Sequence, residues 1–513
     1  MTTATANALT LSGKALVFAG QQYLPLIPRQ LSLTSRGDAS VADASHVAAL
    51  SSAPSMTDSG NPSGNTSSSS QACLCVVEWS EDHNNNNIRN SFQNEDQIPS
   101  TSSSRTSQVA VASSPGVSIT SFASLAFGEN RSGLSFPVSL SDDTVVLVSR
   151  VVDDDDGEVS YRKAGTILRK VGGWTASCVV QQGPHGGRIA AAQRDDSGPH
   201  GNVLSLIDVE KDRLEYVARL TPASSGLSSF PITQLEFLRS GELNSEVPLN
   251  DEEGYAVELL ALCHSVILRL RCATLPCTAK QPHPVLSYYP KAQVGTVQVL
   301  NAWRWSPLDP IDSFAYRGHF LFAGTSEGSI AVWDMLNDAT TNNNNGGLPV
   351  SQFLCETSAG ASTHNHLISG GTNSSRRRAA GVSALVVRSD SELIAGSTNG
   401  LVSIWSSCGS KRWRSSNIHS TESHQQQQEH DGSLHGASGV VGEALFPSAA
   451  AAASSCTNGN HHEADGQMAA ASASSLSSAS LYGYPSIKGL ASSHRYLIGM
   501  DDSGMLTIWQ WLR

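Results

Sequence analysis

Residues whose chemistry could bind a metal occur in three places. His364 and His366 flank Asn365, His461 and His462 precede Glu463, and His424 stands near His430. A structural zinc site needs its ligands fixed around a tetrahedron. All of these histidines sit in low-complexity runs that offer no such frame, so no metal site is expected. The stretches GPHGG (183–187) and GPHGN (198–202) each carry one histidine, but they read as simple Gly/Pro turns. No nucleophile stands beside a base, and G-x-S-x-G, P-loop, H-E-x-x-H and kinase signatures are all missing. Hence no catalytic residue, no cofactor and no small-molecule substrate is expected. The run Asp153–Asp156 lacks the spacing of a calcium loop and reads as a solvated turn.

Charge gives one further candidate. Arg376, Arg377 and Arg378 form the only concentrated basic run. They read first as a solvated loop, and secondly as a nuclear-import signal or a contact for an acidic partner. The net charge of −12 argues against a general nucleic-acid surface. The nine cysteines are scattered, with no C-x₂-C pair, which fits a reducing compartment rather than a disulfide framework. Neither a secretory leader nor an apolar run approaching 18 residues is read in the chain. An intracellular protein, cytoplasmic or nuclear, is therefore expected.

The elements that carry these residues repeat. Residues 322–334 read FAGTSEGSIAVWD, 393–405 read LIAGSTNGLVSIW and 497–509 read LIGMDDSGMLTIW. Gly328–Trp333, Gly400–Trp405 and Gly504–Trp509 share a five-residue offset. Ser326, Thr398 and Asp502 lie two residues before each glycine. Ile330 and Val332, Val402 and Ile404, and Leu506 and Ile508 alternate between glycine and tryptophan. Each copy predicts a hairpin whose turn needs a residue tolerant of positive φ. VVEWSED (76–82), NAWRWSP (301–307) and VSALVVRSDSE (382–392) are expected to open such units.

On these motifs the chain resembles the WD-repeat family, whose unit of about 40–45 residues is one four-stranded blade of a β-propeller. Only Trp333-Asp334 keeps the full dipeptide, since Ser406 and Gln510 follow the other two tryptophans. The early Gly-His pair is missing, because Gly318-His319 lies too close to Trp333. Ile207-Asp208 stands where Trp-Asp would be in a unit built from 174–182, 187–196 and 202–210. The segments 232–240, 256–264 and 265–272 predict another unit. The resemblance implies an all-β fold, a single propeller over 1–513. Roughly 300 foldable residues at about 40 per blade make seven blades.

Composition predicts long insertions without fixed structure at about 36–70, 84–107, 336–347, 357–380 and 408–480, where Ser, Ala, Asn, Gln and Gly dominate. In the family the tryptophan ends a blade's third strand. LPVSQFLCE (348–356) suits the strand after Trp333, but almost nothing follows Trp509. The strand at Leu9–Ala19 is expected to pair with Met505–Trp511 and close the ring. The resemblance implies a non-catalytic scaffold for other proteins in a multisubunit complex, with nuclear pore or RNA-export settings slightly favoured. It also places the loop bearing Arg376–Arg378 on the face where partners bind. Two alternatives are a non-catalytic partner of an RNA- or protein-modifying enzyme, and a propeller hydrolase using Asp195, Asp196, Asp501 and Asp502.

Overall fold

A computed structural model describes residues 9–11, 14–23, 27–35, 45–53, 72–80, 104–112, 114, 116–126, 134–152, 158–181, 187–195, 201–220, 230–239, 256–274, 287–336, 348–354, 380–389, 392–398, 400, 402–407, 413–415, 485–493 and 496–511. Every regular element among them is a strand. After β1 (Leu9–Leu11) and β2 (Lys14–Tyr23), the strands group into seven antiparallel blades. Blade 1 holds β3 (Ile27–Ser35), β4 (Ser45–Ala53), β5 (Cys73–Ser80) and β6 (Ser104–Ala110). Blade 2 holds β7 (Ile119–Phe122), the short β8 (Leu125–Ala126), β9 (Leu134–Leu140), β10 (Thr144–Val152) and β11 (Val159–Arg169). Blade 3 holds β12 (Trp174–Val179), β13 (Ile189–Asp195), β14 (Gly201–Asp208) and β15 (Arg213–Leu220). Blade 4 holds β16 (Gln234–Phe237), β17 (Ala256–Cys263), β18 (Val266–Thr274) and β19 (Gln293–Arg304). Blade 5 holds β20 (Ile311–Arg317), β21 (Phe320–Thr325), β22 (Ser329–Asp334) and β23 (Ser351–Leu354). Blade 6 holds β24 (Val382–Ser389), β25 (Glu392–Ser397), β26 (Val402–Ser407) and β27 (Trp413–Ser415). Blade 7 holds β28 (Ile487–Ser492), β29 (Tyr496–Asp501) and β30 (Met505–Trp511).

Blade 7 takes its outer strand from the other end of the chain. β2 pairs antiparallel with β30 from Leu16↔Trp511 to Tyr23↔Met505. β1 folds back on β2 rather than joining that ladder, with Leu9↔Leu16 and Leu11↔Lys14. The last strand therefore has no free edge for another chain to extend.

The strands alternate short polar turns with Val, Ile, Leu and Ala runs, and most are buried on both faces. The reason lies in the seven hydrophobic cores, one between each pair of neighbouring blades. Phe122, Phe136, Val76 and Val148 join blades 1 and 2, and Val145, Trp174, Ile189 and Ile207 join blades 2 and 3. Leu204, Leu206, Leu259 and Leu268 join blades 3 and 4. Trp303, Phe314 and Trp333 join blades 4 and 5, and Phe322, Leu393 and Trp405 join blades 5 and 6. Ile394, Leu497 and Trp509 join blades 6 and 7. The ring closes where Cys75, Val77 and Trp79 of blade 1 meet Tyr496, Ile498 and Met500 of blade 7. This is a seven-bladed β-propeller. Blades 3 and 4 are further joined at the rim, where β15 and β19 pair in parallel through Tyr216↔Gln293 and Val217↔Val294.

Two expectations need correction. The segments at 76–82 and 301–307 do not open units. They belong to β5, a third strand, and to β19, an outer strand. Their tryptophans mark burial rather than strand order, since Trp79 is 4% exposed and Trp303 fully buried. Three of the segments expected to lack structure also contain strands: β4 within 36–70, the start of β6 within 84–107, and β27 within 408–480. Composition averaged over a long window hides them. A strand held between two partners, as β4 is between β3 and β5, is secured by ladder hydrogen bonds and accommodates Ala and Ser. The rest of those segments, and 336–347 and 357–380 apart from Leu336 and Ala380, lie outside the described residues.

Candidate partner-binding face

In blades 5, 6 and 7, the turn between second and third strands lies beside the loop that leads into the inner strand, and hydrogen bonds join the two. In blade 5 the Ser326 N–H donates to Pro310 O at 2.9 Å. The Ser326 hydroxyl and the Glu327 N–H both donate to Asp309 Oδ1, at 3.2 and 2.9 Å. Asp309 Oδ2 accepts from Trp305 Nε1 at 2.9 Å. In blade 6 the Thr398 N–H donates to Gly381 O at 2.8 Å, and Thr398 Oγ1 accepts from the Gly381 N–H at 3.0 Å. In blade 7 the Asp502 N–H donates to Ser486 O at 2.9 Å, and Asp502 Oδ1 accepts from the Ser486 N–H at 3.0 Å. The polar residue two before each glycine thus ties its turn to its own inner strand. Gly328, Gly400 and Gly504 follow with φ of +85°, +82° and +86°.

Trp333, Trp405 and Trp509 sit at equivalent ends of third strands and are 0%, 5% and 3% exposed. The Asp334 carboxylate accepts from the Leu336 N–H at 3.1 Å. Asp208, at the corresponding place in blade 3, is 5% exposed and lies 3.5 Å from Arg188 and 3.2 Å from Lys211.

Sequence reading missed a fourth copy of this turn, in blade 2. The Ser141 N–H donates to Ser118 O at 2.9 Å, and Ser141 Oγ accepts from the Ser118 N–H at 3.0 Å. Asp143 takes the place of the glycine at φ +61°. Val148 lies five residues later where the others have tryptophan. An aspartate in the left-handed region was the available signal, since Asp and Asn tolerate it better than other side chains.

The inner strands share a second feature. Six of the seven carry a register shift at one level, leaving Arg29, Thr120, Thr175, Asp312, Ser383 and Lys488 as the extra residues. Such a bulge turns a side chain away from the strand's regular alternation. Thr120 is exposed between buried Ile119 and Ser121, and Asp312 between buried Ile311 and Ser313. Lys488 is exposed beside buried Ile487. These residues stand near the start of their inner strands. Although its side chain reaches solvent, the protein packed around it, then neighbouring Asp309, push the Asp312 carboxyl up to about 6, while Lys488 pulls it down. Burial likewise raises Asp502, again opposed by Lys488. Lys488 is therefore felt by both carboxylates. Neither Asp312 nor Lys488 makes a hydrogen bond or ion pair among the described residues.

Of the acids considered for hydrolysis, Asp501 is committed to its turn. Its Oδ1 accepts from the Ser503 and Met505 N–H groups at 2.9 and 3.0 Å. Asp195 ends β13, and Asp196 lies outside the described residues, as do Arg376–Arg378 and the clustered histidines. No group of three potential metal ligands occurs among the described residues.

No family model matches the sequence, and no curated protein matches it. Among solved structures the chain is similar to Raptor from Chaetomium thermophilum, with 10% identity and a TM-score of 0.41 over 97% of this chain. It spans only 29% of the Raptor chain. It is also similar to Saccharomyces cerevisiae Sqt1, with 9% identity and a TM-score of 0.39 over 99% of this chain and 100% of that one. The computationally designed Ika8 protein gives 11% identity and a TM-score of 0.35, over 96% of this chain and 100% of that one. The propeller assignment rests on the blades and the seven cores between them.

Proposed function

We propose that this chain is a non-catalytic scaffold that binds other proteins as one subunit of a larger assembly. One observation carries the reading: a closed ring of seven blades in which the turns of blades 2, 5, 6 and 7 are hydrogen-bonded to the loops that enter their own inner strands, so that one face is polar and fixed. A pre-organised polar face of this kind loses little entropy on docking a partner. Fold alone does not choose among assemblies. The basic run Arg376–Arg378 supports a nuclear setting, with a nuclear pore or RNA-export assembly as the specific form of the reading.

Affinity purification of the full chain from native extract tests it. A stable, stoichiometric set of protein partners is expected. A monomer that turns over a substrate would overturn the reading. Converting Arg376, Arg377 and Arg378 together to Glu should reduce recovery of any partner they contact and steepen its salt sensitivity, while leaving the melting temperature unchanged.

A further inference from the structure

One segment at the outer rim serves blades other than its own. Residues 287–292 lead into β19 of blade 4, yet Tyr289 and Ala292 pack, partly buried, on the core shared by blades 2 and 3. The Tyr289 hydroxyl accepts from the Arg169 N–H and donates to Arg169 O, both at 2.8 Å. Arg169 ends β11 of blade 2, so the segment reaches past blade 3. It then enters β19 beside β15, through Tyr216↔Gln293 and Val217↔Val294. A turn sets the two anchors: the Ala292 N–H donates to Tyr289 O at 3.0 Å. Pro290 follows Tyr289, where its fixed φ suits such a turn.

Little holds this strap. Ser287, Tyr288, Pro290, Lys291 and Gln293 are exposed. Tyr289 and Ala292 supply its apolar contacts to the core, and its pairing with β15 lasts two residues. A segment with so few buried contacts opens at low cost while the rest stays folded. Opening bares an apolar groove, both backbone polar atoms of Arg169 and part of the β15 edge. An open strand edge beside a side-chain pocket is a recurrent way of recognising a peptide.

Resting on the scaffold reading, we propose that residues 287–294 are an autoinhibitory strap. They fill in cis a rim groove between blades 2 and 3 that receives a Tyr-Pro-x-Ala turn from a partner protein in trans. The strap itself displays the chemistry the groove accepts: a phenol for the Arg169 backbone, a small apolar side chain three residues later, and a strand to run beside β15.

The probe is fluorescein-labelled Ser-Tyr-Tyr-Pro-Lys-Ala-Gln-Val, the strap's own sequence, titrated against the full chain. Tyr289→Phe removes both hydrogen bonds to Arg169 and raises the fraction of open strap. It should bind the peptide about tenfold more tightly than wild type. Tyr289→Ala, which also empties the groove, should bind at least as tightly as Tyr289→Phe. Replacing the second Tyr of the peptide with Phe should weaken binding to Tyr289→Phe by about tenfold, and a scrambled peptide should not bind. Hydrogen exchange reads the strap without any ligand: the Arg169 N–H should be protected in wild type and should exchange faster in Tyr289→Phe, with the rest of β11 unchanged. Equal affinity of wild type and both variants, no binding to either variant, indifference to the peptide's phenol, or an Arg169 N–H equally protected in Tyr289→Phe overturns the proposal. Each of those results leaves the scaffold reading standing. That reading falls if affinity purification of the wild type recovers no partner.

Discussion

Gln234 grips both backbone polar atoms of Phe314. Its Nε2 donates to Phe314 O at 2.8 Å, and its Oε1 accepts from the Phe314 N–H at 3.0 Å. The two residues lie on the inner strands of adjacent blades, which share no ladder, so the side-chain amide acts as a one-residue stand-in for a strand. Gln30 does the same to Phe122, at 2.9 and 3.1 Å. Each glutamine is followed by leucine, and each target reads Ser-Phe-Ala (121–123 and 313–315).

Replacing Gln234 with Met should strand an N–H and a C=O near the ring's centre. The cost should be about 1–3 kcal/mol, the usual penalty for leaving a buried polar group unmade. Gln30→Met should cost a similar amount, and the two should add, because the sites share no partner. Urea denaturation of the singles and the double measures this. Losses indistinguishable from zero would mean that water replaces the amides.

Trp333, Trp405 and Trp509 fill successive interblade cores. Truncating any one to Ala should cost about 3–5 kcal/mol, the range for a large buried aromatic. Trp305 is only partly buried, and the same truncation there should cost less. A loss below about 1 kcal/mol at all three buried positions would place them outside the cores.

The Gly-to-Trp offset was legible in blades 5, 6 and 7 because glycine and tryptophan are chemically conspicuous. Blade 2 has the same turn, but Asp143 and Val148 perform the two roles without either letter. β4 was hidden because its residues are small and its stability comes from neighbours on both sides. The glutamine grips join residues 80 or more positions apart, and nothing local marks them. The inner-strand bulges were illegible for a related reason: a bulge is a property of two paired strands, and the sequence of one strand does not announce it.

Asp143 holds φ at +61° where the other copies use glycine. A side chain in that region costs about 1–2 kcal/mol relative to glycine, and less for Asp. Asp143→Gly should therefore stabilise the protein by up to about 1 kcal/mol, after the added freedom of the unfolded chain is subtracted. A destabilised variant would show that the Asp143 side chain contributes more than its strain.

Glu236 sits on the inner strand of blade 4, and burial lifts its carboxyl from 4.5 to about 7 despite the hydrogen bond from Gln234 Nε2. The folded state therefore holds this proton at pH values where the unfolded chain has released it. Below about pH 4 both states are protonated and the group costs nothing. As pH rises toward 7 stability falls, and above 7 the full penalty remains. Glu236→Gln keeps an acceptor for Gln234 and cannot ionise. It should match wild type near pH 4 and exceed it at pH 8, by at most about 3 kcal/mol. Parallel melting curves with no divergence between pH 4 and 8 would show that the carboxylate is solvated.

The ring's closure depends on β2 lying against β30. The Arg388 guanidinium of blade 6 sits 3.5 Å from the centre of the Trp511 ring and also bonds Glu392 Oε2 at 2.8 Å. Trp511 is thus held by a cation on one side while its strand is laddered to β2 on the other. Removing residues 1–23 deletes that ladder and leaves β30 as an open edge beside the cores that join blade 7 to blades 6 and 1. A lower melting temperature or aggregation is expected. Arg388→Ala should weaken the same corner by about 1–2 kcal/mol, through the lost cation–π contact and the lost ion pair to Glu392. After the 1–23 deletion its effect should shrink, since the strand it steadies is already loose. Removing residues 425–445, a Gln-, Ser- and Gly-rich stretch, should leave melting unchanged. A 1–23 deletion that melts like the full chain would mean that the seven cores close the ring without the terminal strand.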